Sequence, residues 1–198
     1  MHRRHPAAPT RGVHLTSLIA AMITALTGVL IAVLAYVLNQ RGELRRSKRQ
    51  AHLDRINAQL RDLYGPLLVL IEANERTWDA FRERHLTSRE ERRRAGGLTE
   101  EQNLRWRRWV LTVLVPTARQ MRDVVLAHGD LFIEDEIPQV VLDFCAHVSS
   151  YEVTVVEWEA GEDGDVLVRH PGEGLVTYIR DAYRSLKAAQ AEVLRAQE

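Results

Sequence analysis

A chain of 198 residues with 27 basic and 27 acidic side chains has no net pull toward nucleic acid or toward an acidic surface. Its single cysteine, Cys145, excludes an internal disulfide framework, and the length suffices for one domain with a real core. The charge is unevenly placed, since residues 129–174 hold twelve acids and one cation, Arg169, while basic residues gather at 41–49 and 82–108.

Residues 1–14 carry Pro6, Pro9 and Gly12 without apolar periodicity, which predicts a disordered N-terminus. Residues 15–38, LTSLIAAMITALTGVLIAVLAYVL, run 24 positions without a charge, and about 20 helical residues suffice to cross a bilayer core. They predict one transmembrane helix. A cleaved signal peptide would share the basic Arg3, Arg4 and Arg11. Its apolar region, however, spans only about 7–15 residues and ends in a small-x-small site, which residues 39–43 lack. Five cations after the span (Arg41, Arg45, Arg46, Lys48, Arg49) outweigh the three before it, predicting an outside N-terminus and a cytoplasmic C-terminal domain. Within the span, Ala20, Thr24, Gly28 and Ala32 recur at every fourth position, a small-residue stripe along which a second copy could pack closely.

Residues 39–52 read as a basic juxtamembrane stalk and residues 53–198 as a helical bundle. Leu53, Ile56, Leu60, Leu63, Leu67 and Leu70 step by threes and fours, and Trp78 and Phe81 extend the face. Gly65 and Pro66 interrupt it. Proline removes one backbone donor and crowds the carbonyl of Asp62, so a kink is expected within one bent helix. The motif Leu63-Tyr64-Gly65-Pro66-Leu67, shortly after an N-terminal span, resembles a set of uncharacterised bacterial single-pass membrane proteins with helical cytoplasmic domains. The resemblance extends to about His85. It implies architecture and no activity; the location expected for the chain is a bacterial inner membrane.

Ser88 and Glu91 stand at capping-box spacing, with Gly96 and Gly97 as a stop. Arg92, Arg93 and Arg94 read as solvated loop charges, because no aromatic platform or groove-reading motif accompanies them. Thr99 and Gln102 open a second helix with Trp106, Trp109, Val110, Val113, Thr117, Met121 and Val124 on one face and a second expected kink at Pro116. The run Arg105-Trp106-Arg107-Arg108-Trp109 has a composition common at membrane surfaces. Both tryptophans share the Val110 and Val113 stripe, which favours core packing. A third helix from Pro138 shows the register Ile137, Val141, Phe144, Val148, Tyr151, Val155, Trp158, which overrides the strand preference of residues 153–156. Residues 160–174 read as an acidic, glycine-rich loop in which Val166, Leu167 and Val168 would form a short extended piece. The last helix repeats the register through Leu175, Ile179, Ala182, Leu186, Ala189 and Val193. The expected fold is all-α, with one N-terminal transmembrane helix and an antiparallel bundle of about four helices.

Chemistry is sparse. Cys145 and His147 are two apart and diverge on a helix, so they do not form a nucleophile–base pair. Glu134, Asp135 and Glu136 precede a helix N-terminus, where acids suit the dipole, and they lack the order of a calcium loop. No phosphate loop, zinc-protease or serine-hydrolase motif occurs, so no catalytic residue, cofactor or metal is assigned. The expectation is a membrane-anchored, non-enzymatic interaction or scaffold protein, with the lipid bilayer and a protein, itself included, as partners and Glu134, Asp135 and Glu136 as a surface for a basic partner. Nucleic acid is not an expected partner. The alternative is a signalling or effector protein that oligomerises through the small-residue stripe, and a third reading is a ligand sensor with a pocket near the two proline bends.

Overall fold

The computed structural model describes residues 11–86, 88–94, 96–162, 164 and 166–196, and it divides the chain into two compact units, Met1–Ala51 and His52–Glu198. Every regular element among the described residues is helical. The first helix, α1 (Arg11–Ala58), supplies the described part of the first unit and its last turns belong to the second. Residues 11–14, expected to lack structure, form its first turn, because a helix once nucleated gains one hydrogen bond per added residue. Residues 1–10 lie outside the described residues.

Met22, Leu26, Leu30 and Leu34 are all exposed, as the side chains of a lipid-facing helix are. This helix is long and apolar enough to cross a membrane. Beyond residue 38 it continues through the charged stalk, where Gln40 donates to the Tyr36 hydroxyl and Asn39 to the Glu43 carboxylate at i, i+4 spacing.

The second unit holds four rods. The first joins the end of α1, a π-turn (Gln59–Tyr64) and α2 (Gly65–His85). After the short α3 (Arg89–Arg94), the second rod joins α4 (Glu100–Trp109), another π-turn (Val110–Leu114) and α5 (Val115–Ala127). A 3-10 turn (Gly129–Leu131) leads to α6 (Gln139–Glu159), and α7 (Glu173–Arg195) closes the bundle. Cross-links show the sense of each pair. Arg180 meets Glu72 and Gln190 meets Asn57, so α7 runs antiparallel to the first rod. Arg107 lies over Trp158 and Arg119 bonds Glu152, so α6 runs antiparallel to the second rod.

Both expected kinks are π-turns. The Gly65 N–H bonds the Leu60 carbonyl and the Val115 N–H bonds that of Val110, five residues back in each case. Pro66 and Pro116 then stand second in the helices that follow, where a missing donor is tolerated. Each wide turn inserts one residue and rotates the apolar face by that step. In the first rod the buried line passes from Leu63 to Tyr64 and on to Leu67 and Ile71, so Ile71 is buried and Leu70 only half-buried. In the second rod Val115 and Val125 are buried, while Val113 and Val124 stay half-exposed. The α6 and α7 registers, uninterrupted by proline, bury Val141, Phe144, Val148 and Val155, and Leu175, Ile179, Ala182 and Leu186. Ile137, ahead of α6, is exposed, and residues 166–168 make no strand.

The loop between α5 and α6 is tied to the first rod. Gln59 donates to the Leu131 carbonyl at 3.0 Å, Arg55 to that of Asp130 at 3.1 Å, and the Ile133 N–H to the Tyr64 hydroxyl at 3.2 Å. Tyr64 is fully buried, and its ring stands edge-on to Phe132 with centroids 6.1 Å apart.

A side chain at position 65 tests the π-turn directly. A Cβ on Gly65 would collide with the Leu60 carbonyl oxygen, a backbone atom that cannot swing away. Gly65→Ala is expected to lower unfolding free energy by about 1–3 kcal/mol, measured by denaturant titration of the full chain with helix content as readout. An unchanged midpoint would show that the turn does not need glycine.

Candidate functional site

The core of the second unit opens into a cavity of about 310 Å³ where α2, the second rod, α6 and the start of α7 converge. From α2 come Ile71, Asn74, Glu75 and Trp78, a helical face at steps of three and four. Phe144, His147, Val148 and Tyr151 repeat that spacing on α6. The second rod contributes Trp106, Val110, Leu114, Val115, Ala118 and Met121. Its π-turn sits in this wall, and Ala118 presents only a methyl group where a larger side chain would fill the space.

The polar groups of the lining are few. Asn74 Oδ1 is buried and has no hydrogen-bond partner, which costs about 1–3 kcal/mol for a desolvated carbonyl. Glu75 is the one carboxylate. His147 Nδ1 lies 2.6 Å from the Val168 carbonyl, which can only accept, so Nδ1 carries a hydrogen. His170 shows the opposite arrangement, because its Nδ1 accepts from the Gly172 N–H at 2.8 Å and the hydrogen falls to Nε2. The two rings meet edge-on with centroids 5.0 Å apart. Desolvation, and then the neighbouring His147, lower the pKa of His170 to about 4, although by accessible surface the residue as a whole is exposed. Burial raises that of the Tyr151 phenol.

One end of the cavity abuts an aromatic cluster. Phe81 stacks on Trp109 at 4.7 Å, and Trp78 meets Trp106 at 5.4 Å and Trp109 at 5.6 Å. The Arg105–Trp109 run (RWRRW) therefore turns its tryptophans inward. Arg107 lies 5.2 Å from the Trp158 ring centre, and Arg105 pairs with Glu101 at 2.5 Å.

The residues singled out from sequence do not converge on this cavity, apart from Trp106 and His147. Glu134 accepts a hydrogen bond from the Tyr178 hydroxyl at 2.8 Å, which in turn lies 2.9 Å from the Tyr64 hydroxyl. Glu134 thus anchors the loop, while Asp135 and Glu136 are exposed beside it. Cys145 is half-buried with its thiol pKa raised by burial, and His147 turns to Val168. No group of metal-ligating side chains with suitable geometry occurs among the described residues. In the stripe, a Cβ on Gly28 would meet nothing within 4 Å and Ala32 is exposed, whereas the Ala20 side chain lies outside the described residues. Arg94 pairs with Glu90 at 2.6 Å, and both capping boxes, Ser88 with Glu91 and Thr99 with Gln102, are formed.

Two sequence signals could have marked the cavity. Asn74 is a polar residue on the face shared by Ile71, Trp78 and Phe81, and Ala118 is a small residue just past the Pro116 turn. No protein-family model, curated protein or solved structure matches this chain.

Replacing Asn74 with leucine removes the unpaired carbonyl and keeps the branched shape and the number of side-chain heavy atoms. Asn74→Leu is expected to stabilise the protein by about 1 kcal/mol, read as a raised thermal midpoint. A lowered midpoint would mean that Oδ1 has a partner in solution. The histidines give a pH dependence. His170 binds its proton more weakly when folded, so the unfolded chain takes it up first as pH falls. The stabilisation is complete above the ordinary value of 6.5 and is lost as pH drops toward about 4. The denaturation midpoint should fall over that window, and His170→Gln should flatten the fall. A parallel profile in the variant would rule His170 out as its source.

Proposed function

We propose that this chain is a non-enzymatic binding protein of the bacterial inner membrane, held by a single span with its N-terminus outside and its helical bundle in the cytoplasm. The bundle takes up a small amphipathic molecule and presents a protein surface that reports its occupancy to a partner at the membrane. The observation that carries this reading is the cavity between the helices of the bundle. Its size matches the lower range of small-molecule sites, about 300–1,000 Å³, and its lining is mostly apolar with a few polar groups, as such sites are. The orientation rests on the cation bias across the span, five after it against three before. The loop that carries Glu134, Asp135 and Glu136 is the proposed reporting surface, since Tyr64 and Tyr178 connect it to the core in which the cavity lies.

Native mass spectrometry of the full-length protein, released from nanodiscs after incubation with a small-molecule extract of cells, tests the reading. The wild type should carry a bound mass of small-molecule size. Ala118→Trp, which fills the cavity, should remove that mass while leaving the helical circular-dichroism signal intact. A wild type that stays bare, or a bound mass that survives in Ala118→Trp, would overturn the assignment of the cavity.

A further inference from the structure

We propose that the cavity selects an organic cation, a protonated amine or quaternary ammonium with an apolar body, over neutral and anionic molecules of the same size. The proposal rests on the cavity's being a binding site, and it adds the charge class of the ligand.

Three features of the lining converge on positive charge. The first is its charge content: Glu75 is the only side chain with a full formal charge among the cavity's described lining residues, and no lysine or arginine stands with it. The nearby Arg180 does not cancel it. Its guanidinium is bonded to Glu72 at 2.7 Å. Glu173 and Glu75 also act on Arg180, and Arg76 acts on Glu72, so three carboxylates share this side with two guanidinium groups.

The second is the balance of hydrogen-bonding groups. Glu75 offers two carboxylate oxygens, the one charged acceptor of the lining. The donors of the lining, the Nε2–H of His170, the Asn74 amide, the Tyr151 hydroxyl and the Trp78 and Trp106 indole N–H groups, all belong to side chains without a formal positive charge. A cationic donor therefore meets the one charged acceptor of the lining, whereas a carboxylate would meet that charge and no cationic donor.

The third is the aromatic wall. Trp78, Trp106, Phe144 and Tyr151 line the cavity. Indole and phenol rings carry negative potential on their faces and attract ammonium groups when water is excluded. The same rings accept the apolar body of the ligand, so both halves of an amphipathic amine find partners.

The test uses full-length protein in nanodiscs, isothermal titration calorimetry and empty discs as the blank. The three probes share one scaffold and differ in head group: 3-phenylpropylammonium, 3-phenylpropanol and 3-phenylpropanoate. The ammonium should bind at least about tenfold more tightly than the alcohol, and the carboxylate should not bind detectably. Glu75→Gln should erase the preference by bringing the ammonium to the affinity of the alcohol, with the helical circular-dichroism signal at the wild-type level reporting that the bundle is intact. Alcohol or carboxylate binding as tight as the ammonium would overturn the charge class but leave the cavity as a site. Failure of all three probes, or binding that persists in Ala118→Trp, would overturn the site itself and this inference with it.

Discussion

Two missing backbone donors, at Pro66 and Pro116, govern how half of the core is assembled. A proline inside a helix leaves a carbonyl without a partner and pushes its ring toward it. Here each helix meets that demand by widening for one turn, so that the residue before proline bonds five positions back. The extra residue rotates everything downstream. Without it Tyr64 would leave the buried line, and Ile71 would trade places with Leu70. In the second rod the same step brings Val115 and Ala118 to the interior, and the cavity lies against that stretch.

Once Tyr64 is inside, its hydroxyl needs partners, and the loop between α5 and α6 supplies them. The bonds run in one direction. The Ile133 N–H donates to Tyr64, Tyr64 can donate to Tyr178, and Tyr178 donates to the Glu134 carboxylate. Each oxygen accepts one hydrogen and each phenol gives one. A chain of this kind strengthens its members in a desolvated setting, and losing one leaves the others short of a partner. It explains why an acid ahead of α6 is held by a phenol on α7. Burial is the first cause, and these bonds add to it, in keeping the Tyr178 phenol protonated far above the ordinary range.

Much of the fold was legible in the sequence because helices write their contacts at fixed spacing. The α6 and α7 registers needed no correction beyond Ile137, since nothing interrupts the 3.6-residue period there. The four rods, the Thr99 capping box and the uncharged span were equally visible. Leu70 and Val124 still pack against the core, but with Val113 they sit beside its buried line for one reason. A kink keeps the register count, whereas a π-turn adds a residue to it, and proline in the sequence signals either one. The cavity was less legible still. It depends on the joint absence of bulk at Ala118 and of a partner at Asn74, and each is unremarkable until four helices are placed around them. The acids at 134, 135 and 136 looked equivalent in sequence, yet only Glu134 faces a phenol across the loop.

The cavity persists against a stability cost, which bears on what holds it open. The unpaired Asn74 carbonyl alone costs about 1–3 kcal/mol, in proteins whose whole stability is about 5–15 kcal/mol. Ion pairs flank the site, Arg180 with Glu72 and Arg119 with Glu152, but all four side chains are about a third or more exposed. Exposed pairs of this kind contribute about 0–1 kcal/mol each. The aromatic cluster is the stronger support. Trp78, Phe81, Trp106 and Trp109 form a contiguous set of ring contacts, and such contacts add about 0.5–1.5 kcal/mol per pair beyond the area they bury. Two of these rings also form the cavity wall. The packing that offsets the cost of the site and the surface that would receive a cation therefore share the indoles of Trp78 and Trp106.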